Sequence, residues 1–240
     1  MKYKETSMSN VLSHAVTDTI HLGRKAEKED FHIALTGTED YIPHMGMVAL
    51  TVHAHNEDMP ICYHFFVNHL TDEEKGKLEK AAQIMQSPLE VHLIDDSAFK
   101  SLLLSDGVAA FFYRFLVAPT VAPVTDRVLY LDGDMMCRGS LDYLRNLDFK
   151  GYDVAVVSDR KEELQMKRVH TKRYFNAGMM LINVKQWMEE GLFDDIVRRA
   201  EENVKRVGTR LSHHDQDIHN EMLDGMRGGT TASTILALGG

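Results

Sequence analysis

The sequence predicts an α/β fold built on a largely parallel sheet covered on both faces. Three observations carry this expectation. Short apolar runs of strand length recur at residues 31–35, 61–67, 89–94 and 127–131. Segments of helical periodicity lie between most of them, and such alternation gives parallel strands with crossover helices. The chain has 240 residues, 44% hydrophobic and 26% charged, which suits one globular domain with a sizeable core.

Each element has its own signal. Residues 1–30 read as an extension, since Val11, Ala15, Ile20 and Leu22 give only weak helical periodicity. Residues 31–35 form the first strand, and Thr36-Gly37-Thr38 the loop leaving it. From Tyr41 onward Met45, Val48, Ala49 and Val52 recur at helical spacing. After the strand at 61–67, Thr71 and Glu74 make a capping box for a helix carried by Leu78, Ala81, Ala82 and Met85. The strand at 89–94 follows, then a helix over 111–118 that is expected to end before Pro119, then a buried strand at 127–131. Beyond Asp132 the alternation loosens, with strands at 152–157 and within 175–184 and helices at 193–204 and 217–223. Residues 226–240 change to small, weakly polar residues, with four glycines, one arginine and no acid. The expected organisation is therefore an extension (1–30), one domain (31–225) and an atypical tail (226–240).

Bulk properties narrow the function. A formal net charge of -9 argues against nucleic-acid binding, which needs clustered Lys and Arg. Two cysteines far apart, Cys62 and Cys137, suggest a reducing compartment rather than a disulfide framework. No apolar run approaches the roughly 18 residues needed to span a bilayer, and residues 1–30 lack a secretory pattern. The expectation is a cytoplasmic protein. Peripheral contact with the inner membrane is compatible with this, although no basic amphipathic helix advertises it. The histidines, thirteen in all, show no zinc spacing along the chain, and most are expected at or near the surface.

In open α/β sheets ligands gather beyond the carboxyl ends of the strands. Asp132-Gly133-Asp134 follows the apolar run Val128-Leu129-Tyr130-Leu131 at such an end. Two hard carboxylates there suit Mg²⁺ or Mn²⁺, which also coordinate phosphate oxygens. An isolated Asp-x-Asp is equally compatible with an acidic turn, or with a phosphatase of the haloacid-dehalogenase type. The latter wants Thr or Val shortly after the second Asp, where this chain has Met135-Met136-Cys137.

The surrounding segments are more specific. In order, they are the loop Thr36-Gly37-Thr38-Glu39-Asp40-Tyr41, the pair Tyr113-Arg114, LYLDGDMMCRGSLDYL, YFNAGMMLINVKQW and HHDQDIHN. This series resembles glycosyltransferase family 8 from about Phe31 to about Gly225. The resemblance implies the GT-A fold and transfer of a hexose, with retention, from a UDP-sugar in the presence of Mn²⁺ (or Mg²⁺). It implies Asp132 and Asp134 as metal ligands. Thr36, Thr38, Asp40 and Tyr41 match the loop around uridine and ribose, Arg114 and Gly133 lie beside the diphosphate, and Asn176 and Ala177 face the donor sugar. Asp159, Asp215 and Gln216 match residues at the reacting face. The implied partners are a UDP-hexose donor and a saccharide or glycolipid acceptor such as lipopolysaccharide core. Two departures stand out. Thr38 stands where bacterial relatives usually hold Asp, and Asp40 where they often hold Asn. Residues 226–240 do not resemble the family's later H-x-x-G-x-x-K-P-W-like segment, which supplies a metal-binding His. From this the sequence leaves two alternatives, a transferase or a UDP-sugar-binding protein with weak transfer activity.

Overall fold

The computed structural model describes residues 7–103, 108–205, 214–225 and 235–237. The elements are, in order, α1 (Met8–Leu12), β1 (Val16–Leu22), β2 (Phe31–Thr36), α2 (Ile42–Ala54), β3 (Ile61–Val67), α3 (Asp72–Met85) and β4 (Leu89–Ile94). There follow α4 (Val117–Val121), β5 (Arg127–Asp132), α5 (Asp142–Arg145), β6 (Val154–Ser158), α6 (Glu162–Val169) and β7 (Phe175–Asn183). The last are α7 (Val184–Glu189), α8 (Leu192–Lys205), α9 (His214–Gly225) and β8 (Ile235–Ala237). Short 3₁₀ segments at Glu39–Tyr41, Asp96–Phe99 and Ala109–Leu116 connect them.

The strands form one sheet in the order β1-β4-β3-β2-β5-β7-β6-β8. Strands β4, β3, β2 and β5 are parallel. Every residue of β2 and β3 is buried, as their mainly apolar runs require when helices cover both faces, and His32 and His64 are buried with them. One face packs on α2 and α3 through Met45, Val48, Val52, Leu78 and Met85. The other carries the larger core, with Phe112, Phe115, Trp187, Ile196 and Ile218. Helix α3 starts with the expected capping box: Thr71 Oγ1 accepts from the Glu74 amide at 3.2 Å, and Glu74 accepts from the Thr71 amide at 2.9 Å.

Three features differ from the sequence reading. Within residues 1–30, Val16–Leu22 pairs antiparallel with β4, so the apolar residues there serve an edge strand rather than a helix. The segment before Pro119 is 3₁₀, and α4 runs through the proline. Pro119 sits in the first turn of α4, where a missing N–H costs little. Within residues 226–240, Ile235–Ala237 pairs parallel with β6.

The decisive arrangement for the site lies between β5 and β7. β7 runs antiparallel to β5, so its first residues lie beside the last residues of β5. Its pairing with β6 also breaks there: Val156 opposes Met180, yet Val157 opposes Asn176. The peptide of Ala177 is thus released from the ladder at the sheet's carboxyl edge.

Candidate active site

A cleft of about 500 Å³ opens at the carboxyl ends of β2 and β5, lined in part by Thr36, Thr38, Tyr41, Arg114, Asp132 and Asp134. Tyr41, Val108 and Phe111 supply apolar wall. Gly37 lets the β2 loop turn tightly against α2, because a Cβ there would lie 2.7 Å from Cβ of Tyr41.

Arg114 organises the polar side. It is nearly buried, and its Nη2 donates to Asp132 Oδ1 at 3.0 Å. Nη1 donates to the freed carbonyl of Ala177 at 3.0 Å. Nε lies 2.9 Å from Asp215 Oδ2, an ion pair in which the N–H is not aimed at the oxygen. The guanidinium also stands over the Tyr130 ring, 4.8 Å from its centre. Burial alone would lower the Arg114 pKa, but Tyr130, Asp215 and Asp132 outweigh it and hold the group charged. Burial raises the Asp215 carboxyl above its usual value, and Arg114 opposes that rise.

Tyr130 completes the support. Its hydroxyl donates to Asp132 Oδ1 at 2.6 Å and lies 3.1 Å from Thr36 Oγ1. Burial pushes the phenol pKa up, so it stays a donor. Asp132 Oδ1 is therefore committed to Arg114 and Tyr130. Oδ2 faces Gly178, where a Cβ would stand only 2.7 Å away. No hydrogen bond from the described residues occupies Oδ2. Together with the exposed Asp134 in the same cleft, this donor set fits a hard divalent cation.

Helix α9 docks on the freed stretch of β7. Gln216 Oε1 accepts from the Ala177 amide at 3.0 Å, and Nε2 donates to the Tyr174 hydroxyl at 3.1 Å. Asn220 takes both sides of Phe175, accepting from its N–H at 2.8 Å and donating to its carbonyl at 3.0 Å. Buried Asp217 pairs with Arg168 and with the Tyr174 hydroxyl. The β2 loop is held in the same manner: Asn68 accepts from the Glu39 amide and donates to Asp96, which also accepts from Tyr113.

The expected residues thus fall into three groups. Thr36, Thr38, Tyr41, Arg114, Asp132, Gly133 and Asp134 line the cleft together. Ala177, Asp215 and Gln216 join it through Arg114 or β7, and Asn176 accepts from the Gly178 amide at 2.8 Å. Asp40 points to solvent in the 3₁₀ turn, and Asp159 lies in a separate shallow concavity with Lys161 and Glu162, accepting from the Lys161 amide. Neither is among the residues that line the cleft. Tyr130, Gly178 and Asn220 were not singled out from the sequence. For Tyr130 a signal existed: it is two residues before Asp132 on one strand, hence on the same face.

Comparison with known proteins agrees with this architecture. The lipopolysaccharide 1,3-galactosyltransferase of Salmonella typhimurium is 31% identical over 209 residues, covering 82% of this chain and 61% of that protein. The lipopolysaccharide glucosyltransferase WaaO of Escherichia coli is 27% identical over 232 residues, covering 92% of this chain and 66% of that protein. The chain thus spans about 60% to two thirds of the length of these curated relatives. The galactosyltransferase LgtC, solved with donor and acceptor sugar analogues, superposes with a TM-score of 0.70 at 22% identity, covering 81% of this chain and 70% of that one. Mouse xyloside xylosyltransferase 1 shares the fold at a TM-score of 0.57, covering 87% of this chain and 85% of that one, at 14% identity. Residues 32–227 match glycosyl transferase family 8, and the chain belongs to that family.

Proposed function

We propose that the protein moves a hexose, glucose or galactose, from a UDP-sugar to a saccharide or glycolipid acceptor, with retention of anomeric configuration. The observation that carries this reading is the junction of Asp132 with Arg114, Ala177 and Asp215 at the mouth of one cleft. What supports it is the neighbourhood of carboxylates suited to a cation, a fixed positive charge suited to a diphosphate, and the break in β7 beside them. The lipopolysaccharide hexosyltransferases among its relatives support a lipopolysaccharide core or another cell-surface glycan as acceptor.

Mn²⁺ or Mg²⁺ held by Asp132 and Asp134 would neutralise the leaving diphosphate. Within the chain, Arg114 supplies further positive charge already fixed by its neighbours, so little reorganisation accompanies departure. Thr36, Thr38 and Tyr41 border the space for the nucleoside. A double displacement needs a protein nucleophile. Gln216 is committed through both ends of its amide, and an amide is a poor nucleophile. Asp215 is tied to Arg114, and Asp159 stands apart. These commitments favour attack on the leaving-group face, with the acceptor proton taken by a departing phosphate oxygen.

Calorimetric titration with UDP, with and without Mn²⁺, tests the reading, followed by hydrolysis and transfer assays across UDP-hexoses. The expected result is cation-dependent UDP binding that is lost in Asp132→Asn and Asp134→Asn. UDP binding that ignores both the cation and these carboxylates would overturn it.

A further inference from the structure

A second cluster of donor atoms lies on the sheet toward the amino ends of β2, β3 and β4, away from the cleft. His32 and Cys62 are register partners on adjacent strands, and His64 follows Cys62 two residues on, so all three share one face. Each is wholly buried. His32 Nδ1 lies 2.8 Å from His64 Nε2, and Cys62 Sγ lies 3.5 Å from the same nitrogen. The three ligand atoms fall within 4.8 Å of one another.

The outer partners of the two rings bear on the state of the inner nitrogens. His32 Nε2 is 3.3 Å from the Glu27 carbonyl oxygen, which can only accept. His64 Nδ1 is 3.0 Å from His92 Nε2 and 3.4 Å from a Glu90 carboxylate oxygen. His92 in turn contacts Thr19 Oγ1 at 2.9 Å through Nδ1. A carbonyl on one ring and a carboxylate on the other are the outer partners typical of metal-bound imidazoles. In the tautomer with both outer nitrogens protonated, His32 Nδ1 and His64 Nε2 are bare and face each other beside a thiol. Two facing lone pairs repel unless a cation lies between them.

We propose that His32 Nδ1, His64 Nε2 and Cys62 Sγ bind a thiophilic dication of zinc type, at a site separate from Asp132 and Asp134. Two imidazoles and one thiolate are a zinc donor set that leaves a fourth position free. Binding exchanges the thiol proton for the metal: the S–H bond breaks, an S–metal bond forms and one proton leaves to solvent. The thiolate and Glu90 together balance the two positive charges. At Zn–N distances of about 2.0–2.1 Å in tetrahedral geometry, the rings part by about half an ångström. Because all three ligands are buried, loading belongs to folding rather than to later diffusion.

The test is metal analysis of the purified full chain from cells grown with zinc, dialysed against Mg²⁺, and a parallel preparation grown with cobalt. About one zinc per chain is expected, together with a thiolate-to-cobalt charge-transfer band in the cobalt form. Cys62→Ser and His32→Gln each lower the retained zinc at least tenfold, whereas Asp132→Asn leaves it unchanged. A zinc-free wild type that takes up none on refolding with zinc would overturn the proposal. So would a cobalt spectrum without the thiolate band, a reading that does not depend on either variant folding. Equal zinc in wild type, Cys62→Ser and His32→Gln would overturn it as well. The metal-free alternative is a one-way chain of neutral imidazoles from Thr19 through His92, His64 and His32 to the Glu27 carbonyl.

Discussion

Tyr130 and Arg114 divide the work of holding Asp132. Removing the Tyr130 hydroxyl leaves Oδ1 with Arg114 alone, so the carboxylate loses one of the two donors that fix its orientation. Tyr130→Phe is expected to weaken Mn²⁺-dependent UDP binding about 10- to 100-fold, the usual effect of losing an outer partner of a metal ligand, with the fold intact. Calorimetry on that variant checks this. Arg114→Met acts on stability as well as on binding. The pair with Asp215, with side chains 9% and 12% exposed, leaves a nearly buried carboxylate without its cation, a loss of about 3 kcal/mol. The pair with Asp132 adds less, because that carboxylate is 34% exposed and water screens it. Urea unfolding of the variant measures the sum. At this scale the sequence was most legible where chemistry is carried by charge in a motif. Asp132 and Asp134 are marked by their place at a strand end and Arg114 by the resemblance, whereas Asp40, which the resemblance sets in the nucleoside loop, is exposed in a 3₁₀ turn that no motif announces.

Among the elements, the α9–β7 contact is the one that holds the freed stretch of β7 beside the cleft. Asn220 satisfies both backbone groups of Phe175, which no neighbouring strand does as well at a break in pairing. Asn220→Ala leaves a buried N–H and a buried C=O unpaired, at about 1–3 kcal/mol each. Hydrogen exchange at the Phe175 amide is expected to accelerate ahead of global unfolding. Gly178→Ala has a different effect: its methyl would meet Asp132 Oδ2 at 2.7 Å and Asn176 Oδ1 at 2.8 Å. The carboxylate must turn away, and cation-dependent UDP binding is expected to fall while the unfolding midpoint changes less than in Asn220→Ala. The strands β2 to β5 were readable because largely buried strands are dominated by apolar residues over a strand's length, even with His32, His64, Glu90 and His92 among them. The edge strand β1 was not, since an exposed strand of mixed polarity has no clear period. Nor was the break in β7, which arises from pairing with β6 and leaves no mark in composition.

For the whole molecule, buried histidines couple stability to pH. Burial lowers His219 to about 3 and His92 to about 4, and lowers His32 and His64 as well. These rings are neutral when folded and free to protonate when unfolded. Their stabilising contribution is therefore full above the unfolded value, near 6.5, and is lost as pH falls toward the folded values. Each such group contributes a slope of up to about 1.4 kcal/mol per pH unit. The protein is expected to weaken steeply between about pH 6 and 4, and His219→Phe to make the slope shallower by about one proton, as read from urea midpoints against pH. The sequence concealed this because His32, His64 and His92 are some thirty residues apart and meet only through parallel strand pairing, while His219 is buried by the docking of α9. The same sheet carries a consequence at Ala177. Both of its hydrogen-bonding groups are taken by side chains, Arg114 on the carbonyl and Gln216 on the amide, and its own methyl takes no part in either. That methyl is wholly buried in the core, so position 177 meets its neighbours at the cleft through its backbone alone, and Ala177→Ser would bury a hydroxyl rather than add one to the cleft. One residue later, at Gly178, even a methyl has no room.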